Sequence, residues 1–463
     1  MQDLLMKNVL QITGGELITG KDDIVCDDFS KDSRTINEGE IFVGIQKETF
    51  NGNLFWKEAL NKGAKAVIVE GIDFDEKEIK QYKNKTIVRV EDTIEAIGKI
   101  ANYKRNQANI PVIAVTGSVG KTSTKDIIAN ILSMKYKTLK TEGNFNNDIG
   151  LPFTLLKLKE HQAVVLEMGM NHFKEIRKST QIANPTISVI TNIGTSHIGN
   201  LGSRENILKA KLEILDGMKT KSLIINNDND LLNEFYNIPN DDIEITTIGI
   251  RKKSDIMAEN IVLGERNSQF ICKTKESSFQ VNVPVGGEHF VYNALIGVAV
   301  GKKLNMSDSD IKRGIETFEL TKSRMDIDLL SNGAKIINDS YNASLESMTA
   351  ALKYLSEFKN CRKIAFLGDM FELGEYSEQL HRKVGEEVVE NRIDILICAG
   401  KQAKFIAEEA RFFKMKKENV FYFETKEEAT EFLKQRMKPT DIILIKASNG
   451  MKFFDVVPKL FAL

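Results

Sequence analysis

The turn Gly117-Ser118-Val119-Gly120-Lys121-Thr122-Ser123 carries residue types that suit one chemistry, the handling of a triphosphate. Glycines let a backbone bend around an anion. A lysine supplies charge to the β- and γ-phosphates, and the hydroxyl beside it can bind Mg2+. The common spacing G-x-x-x-x-G-K-[ST] asks for glycine at 115, where this chain has Val115; its first glycine sits at 117. The surroundings fit nonetheless. Ile110 to Val115 is an apolar run of strand type, and Ile127, Ile128, Ile131 and Leu132 share one face of a following helix. Strand, turn and helix N-terminus converge free N–H groups and a positive dipole end on phosphate.

Three further groups stand where elements would deliver them. Glu167 ends the strand-like run Ala163 to Leu166, and the carboxyl ends of parallel strands are where ligands bind. A carboxylate there suits Mg2+. His197 follows the strand-like run Ile187 to Ile193. Lys211 falls inside the apolar stripe Ile207, Leu208, Leu212 and Leu215 of a predicted helix from Ser203 to Gly217, while Lys209 points away. Two readings of Lys211 stand side by side: a lysine snorkelling to water, or a desolvated amine that loses its proton and takes up CO2 as a metal-binding carbamate. In Asp32-Ser33-Arg34-Thr35 one guanidinium lies beside two hydroxyls, which suits a diphosphate and equally an ordinary polar turn.

The elements that must position these groups form an α/β chain. At 463 residues and 42% apolar composition, about three domains with normal cores are expected. Residues 1–108 read as a small α/β domain, with strands Ile41 to Ile45, Ala66 to Val69 and Thr86 to Val90 and helices Leu54 to Asn61 and Thr93 to Arg105. Residues 109–318 hold the phosphate turn and, between about 221 and 285, a strand-rich insert in which Phe279, Val281, Val283 and Val285 alternate. Residues 319–463 repeat strand–helix pairs, the pattern of a doubly wound, Rossmann-like parallel sheet. No G-x-G-x-x-G follows its first strand, so the sheet does not imply NAD. Lys and Arg number 64 against 65 Asp and Glu, a balance that gives no field for nucleic acid. No run reaches the ~20 apolar residues of a membrane span. Met1-Gln2-Asp3 does not open a signal peptide, and Cys26, Cys272, Cys361 and Cys398 are scattered singly, so a reducing cytoplasm is expected.

Taken together, the motifs resemble the Mur ligases, ATP-dependent amide ligases of peptidoglycan synthesis. The likeness runs essentially end to end. Thr116 to Thr122 matches the family's variant phosphate turn, which accounts for the displaced glycine. Thr141-Glu142-Gly143-Asn144-Phe145-Asn146-Asn147-Asp148 resembles a segment beside the substrate, and Gly287-Glu288-His289-Phe290-Val291-Tyr292-Asn293 an element whose Asn faces adenine. Asn338-Asp339-Ser340-Tyr341-Asn342-Ala343 with Glu346-Ser347-Met348, and Gly368-Asp369-Met370-Phe371-Glu372-Leu373-Gly374, resemble the motifs of the branch that joins D-alanyl-D-alanine to UDP-N-acetylmuramoyl-tripeptide, and imply that activity.

The resemblance implies ATP and two Mg2+ ions as cofactors, with Thr122, Glu167, His197 and a carbamylated Lys211 at the metals and Lys121 on the phosphates. It implies nucleotide contacts from Gly117, Ser118, Val119, Gly120, Ser123, Asn293, Arg324 and Asp339. Ser33, Arg34, Thr35, Asn144, Asn146, Asn147, Tyr341 and Asn342 are the implied substrate contacts, and a monomer is expected. The implied reaction activates a carboxylate as an acyl phosphate, which an amine then attacks. Two departures stand out. Asn51-Gly52-Asn53 replaces the family's Asp-Gly-His, and Lys446-Ala447-Ser448-Asn449 replaces Lys-Gly-Ser-Arg, leaving Lys446 or Lys452 as point charges for the lost guanidinium. The alternatives are a folylpolyglutamate synthetase-like or other Mur amino-acid ligase and, more remotely, a non-catalytic P-loop protein.

Overall fold

The protein was analysed as a computed structural model, which describes residues 3–321 and 323–461. Contacts gather them into two compact units. The first takes the chain up to Val115, Tyr136–Ser188 and Leu212–Ser222; the second takes Thr116–Lys135, Val189–Lys211 and the chain from Leu223 onward.

In the first unit a five-stranded sheet runs in the order Glu16–Thr19, Thr86–Arg89, Ala66–Val69, Ile41–Val43, Phe29–Ser30. Every neighbouring pair is parallel except the edge pair formed by Glu16–Thr19. Ile41–Val43 and Ala66–Val69 are continuous apolar runs because both faces are covered; Phe42, Val67 and Val69 pack with Trp56 and Leu60 of the helix Trp56–Asn61. The small hairpin Gln46–Lys47 with Phe50–Asn51 is an addition that two-residue strands are too short to announce in sequence. Ala163–Glu167 lies between Val112–Thr116 and Thr138–Lys140, parallel to both, and is buried along its whole length.

In the second unit the helix Lys121–Ser133 leaves the phosphate turn. The insert supplies Ile243–Gly249, Ile256–Leu263, Ser268–Lys273 and Ser278–Val283, the last three antiparallel. Val281 and Val283 are buried between more exposed neighbours, as the alternation requires. A six-stranded sheet follows, ordered Asp326–Leu329, Lys335–Asn338, Asp441–Lys446, Arg362–Gly368, Ile395–Ala399, Val420–Phe423. Only the pair made by Asp326–Leu329 is antiparallel. The last strand in sequence, Asp441–Lys446, inserts between the second and third, so the chain reverses direction across the sheet there. Asn338, Lys446 and Gly368 therefore end side by side at a switch point, the crevice where such sheets take ligands. The fold is α/β throughout, in three domains.

Candidate active site

The displaced glycine has a steric cause. Gly117 has φ 150°, and a Cβ on it would lie 1.9 Å from Thr191 Oγ1. Val115, by contrast, is a fully buried strand residue. The turn is then pinned from behind: Ser118 N donates to Asn192 O (3.0 Å), and Val119 N to Asn192 Oδ1 (3.0 Å). Thr191 Oγ1 donates to Val119 O (2.6 Å), and Ser118 Oγ accepts from Gly194 N (2.8 Å). Lys121 Nζ curls back to donate to Gly117 O (2.7 Å). Thr122 is buried in the first helical turn, and Ser123 next to it is partly exposed. Thr124 Oγ1 donates to Asn293 Oδ1 (3.0 Å), which ties the predicted adenine-facing residue to the same helix.

His197 and Lys211 come from the segment after the strand Ile187–Ile190. Lys211 is 1% exposed on the helix Arg204–Leu212, whereas Lys209 is exposed, as the stripe requires. Burial, then the charge of Lys121, pushes the Lys211 amine well below its ordinary pKa. His197 adopts φ 64° ahead of the short helix Ile198–Leu201. Its Nδ1 lies 2.5 Å from Glu372 Oε2 but in poor hydrogen-bond alignment, so this buried nitrogen has charge proximity without an aligned partner.

In the first unit, Glu167 is 3% exposed and accepts from Asn146 Nδ2 at 2.8 Å. Its N–H donates to Thr141 Oγ1 (3.0 Å). Asn147 instead spends its side-chain oxygen on Gly150 N (2.8 Å), at the start of the helix Gly150–Leu156. Asn144 is exposed. Ser33 is buried and Thr35 exposed, while Arg34 forks onto Asp32 (2.9 and 2.7 Å) with its side chain 82% exposed. That fork holds the Asp32 carboxyl down at about 2. Sequence reasoning passed over Lys31, whose Nζ lies 4.8 Å from the centroid of the Phe145 ring. At the departing triplet, Asn53 is turned inward to accept from Glu70 N (3.0 Å).

At the switch point Lys446, 2% exposed, donates to Asp339 Oδ2 (2.5 Å) and Asn342 O (2.9 Å). Asn449 Nδ2 donates to Tyr341 O (3.0 Å), and the Arg324 guanidinium lies 4.1 Å from the Tyr341 ring centroid. Asn449 thus braces the loop that carries Tyr341 and Asn342. Lys446 is committed to Asp339, and Lys452 is exposed. A cavity of about 420 Å3, lined by His289, Tyr292, Leu345, Lys353 and Tyr354, opens between the helix Glu288–Lys303 and the helix Leu345–Ser356. Enclosure, then the nearby Lys446 charge, lowers His289 to about 4.

Three family models cover the chain: the Mur ligase family catalytic domain over residues 30–105, the Mur ligase middle domain over 115–301 and the Mur ligase glutamate ligase domain over 323–449. The chain belongs to the Mur ligase family. This Mur ligase is 34% identical over 459 residues to the UDP-N-acetylmuramoyl-tripeptide--D-alanyl-D-alanine ligase of Bacillus subtilis (strain 168), a match covering 98% of each. Crystal structure I of MurF from Acinetobacter baumannii superposes over 100% of both chains with TM-score 0.90 and 31% identity. MurF ligase from Thermotoga maritima in complex with ADP superposes with TM-score 0.81 and 27% identity, covering 94% of this chain and 96% of that one.

Proposed function

We propose that this Mur ligase joins D-alanyl-D-alanine to UDP-N-acetylmuramoyl-tripeptide at the expense of ATP, in the cytoplasm and as a monomer, with domains at 1–108, 109–318 and 319–463. The observation that carries the reading is the 34% identity to a ligase of that name along 98% of both chains. A carboxylate and an amine do not condense in water, because oxide is a poor leaving group. Transfer of the γ-phosphoryl group to a carboxylate oxygen of the nucleotide-linked tripeptide makes an acyl phosphate. The amine of the dipeptide adds to its carbonyl carbon and gives up a proton, the bond from that carbon to the bridging oxygen breaks, and phosphate leaves with that oxygen. Such transfer needs alignment and charge neutralisation more than covalent help.

The residues divide the work. Lys121 opens the helix Lys121–Ser133, at whose N-terminus the phosphates would sit. Arg324, Asp339 and Asn293 serve the nucleotide, and Tyr341 and Asn342 the incoming dipeptide. Ser33, Arg34 and Thr35 hold the diphosphate, and Asn144, Asn146 and Asn147 flank the tripeptide, Asn146 through its bond to Glu167. The donors also fit Mg2+: a buried carboxylate, a hydroxyl, and the His197 imidazole. Among the described residues no three His, Cys, Asp or Glu side chains converge, so phosphate oxygens and water would complete the shell. Two ions held by Thr122, Glu167, His197 and carbamylated Lys211 would supply charge neutralisation on the transferring phosphoryl group. Lys211 supports this as a buried amine with a lowered pKa, the neutral form that reacts with CO2.

The test is phosphate release from ATP with UDP-N-acetylmuramoyl-tripeptide and D-alanyl-D-alanine. Release that needs both acceptors and yields the pentapeptide is expected. Release with glutamate and a folate in their place would overturn the assignment.

A further inference from the structure

The loop that carries His197 is held at four points by the segment 345–376. Glu346 accepts from Thr195 N (2.7 Å) and from Thr195 Oγ1 (3.2 Å). The Glu372 carbonyl accepts from Gly199 N (3.0 Å), and its carboxylate lies 2.5 Å from His197 Nδ1. Tyr376 donates its hydroxyl proton to Gly202 O (2.7 Å). The approach requires glycine at Gly199, where a Cβ would lie 2.5 Å from Gly374 N; at Gly194 a Cβ would lie 2.4 Å from Glu346 Cδ, so that side chain would have to move. His197 and Glu372 also both sit at left-handed φ, 64° and 62°. Non-glycine residues hold such angles against a cost in free energy, and only where the surroundings fix them. The phosphoryl-transfer roles proposed above use neither Glu346 nor Glu372.

We propose that Glu372 is a positioning residue for His197: its carboxylate keeps the imidazole proton on Nδ1 and so leaves Nε2 as the metal-binding lone pair, while Glu346 and Tyr376 hold the loop in register. Ligating histidines are commonly oriented by a carboxylate on their other nitrogen, and removing that partner weakens metal binding about 10–100-fold. Here the carboxylate belongs to the domain that carries the dipeptide-side motifs. Metal affinity therefore depends on the docking of residues 345–376 against the loop, and a ligase with that docking disturbed binds its metal poorly before any chemistry begins. The inference rests on the proposed role of His197 at a metal ion.

Mn2+ serves as the probe, titrated by electron paramagnetic resonance into the whole protein with a non-hydrolysable ATP analogue and UDP-N-acetylmuramoyl-tripeptide. In the wild-type protein two ions are expected, and Glu372→Gln is expected to weaken one of them about 10-fold or more with unchanged melting temperature. In parallel, 15N-histidine labelling of the five histidines reports the His197 tautomer, which should shift toward the Nε2-protonated form in Glu372→Gln. A change in tautomer and affinity together supports positioning. Unchanged Mn2+ affinity in a folded Glu372→Gln protein overturns it while leaving the two-ion reading intact. A wild-type protein whose Mn2+ affinity is untouched by His197→Ala overturns the metal reading and this inference with it. If Glu372→Gln does not fold, Glu346→Gln carries the test, with a several-fold loss of Mn2+ affinity expected and no loss contradicting the clasp.

Discussion

The phosphate turn and the segment Lys31–Thr35, the second proposed for the substrate's diphosphate, are built in opposite ways. Around Gly117–Lys121 the turn's N–H and C=O groups are met by Thr191–Gly194, the segment that follows the strand Ile187–Ile190, and one glycine has no room for a Cβ. Arg34 leans outward on a single local partner, Asp32, with its side chain 82% exposed. Transferring a phosphoryl group demands donors fixed before the reaction, because reorganisation would appear in the barrier. Holding the far end of a long substrate demands only affinity, and an exposed pair tolerates loss. Substitutions in the two regions should therefore differ in kind: rate in the first, KM in the second.

The largest effect is expected at Lys121. Lys121→Ala should lower kcat on the order of 10²-fold or more at saturating ATP; near wild-type turnover would break the contrast at its strong end. Lys211→Ala should be similarly inactive yet partly recovered by added short carboxylic acids, which can occupy the oxygen positions of a carbamate. Lys209→Ala, exposed on the other side of the same helix, should turn over like the wild type. Failure of every acid to rescue, together with a bare amine at 211 in a high-resolution map of active enzyme, would remove the carbamate. A smaller change is expected at Arg34→Ala: a KM for the nucleotide-peptide raised about 5-fold, roughly one ordinary hydrogen bond, with the KM for D-alanyl-D-alanine unchanged. The reverse pattern would move the dipeptide to the first domain.

The smallest effect is on stability. His289 is held near 4, below its ordinary 6.5. Between those values the unfolded chain binds the extra proton and the folded chain does not, so stability should fall as pH drops from 6.5 toward 4 and be flat above. Calorimetry on the wild type and His289→Asn should show the variant losing less over that window; parallel slopes would mean other groups carry the acid sensitivity.

How much of this the sequence disclosed follows from what each signal rests on. The phosphate turn and the Lys211 stripe were legible because both are local: glycine spacing and a helical period need no partner elsewhere. The strands of the last sheet were legible as apolar runs, but their order was not, because only tertiary pairing places Asp441–Lys446 beside Lys335–Asn338. The loss of the family guanidinium at Asn449 was visible, whereas its consequence was not. Asn449 bonds to a backbone carbonyl 108 residues away, and Lys446 to an aspartate 107 residues away. Glu372 beside His197 belongs to the same class, since a lone Glu carries no period and no spacing.

The most direct measurement follows one oxygen atom. UDP-N-acetylmuramoyl-tripeptide labelled with 18O in its terminal carboxylate is incubated with ATP and D-alanyl-D-alanine, and the released phosphate is analysed by mass spectrometry. Formation of an acyl phosphate predicts one 18O in each phosphate, carried off when the C–O bond breaks. Unlabelled phosphate alongside amide product would contradict the account.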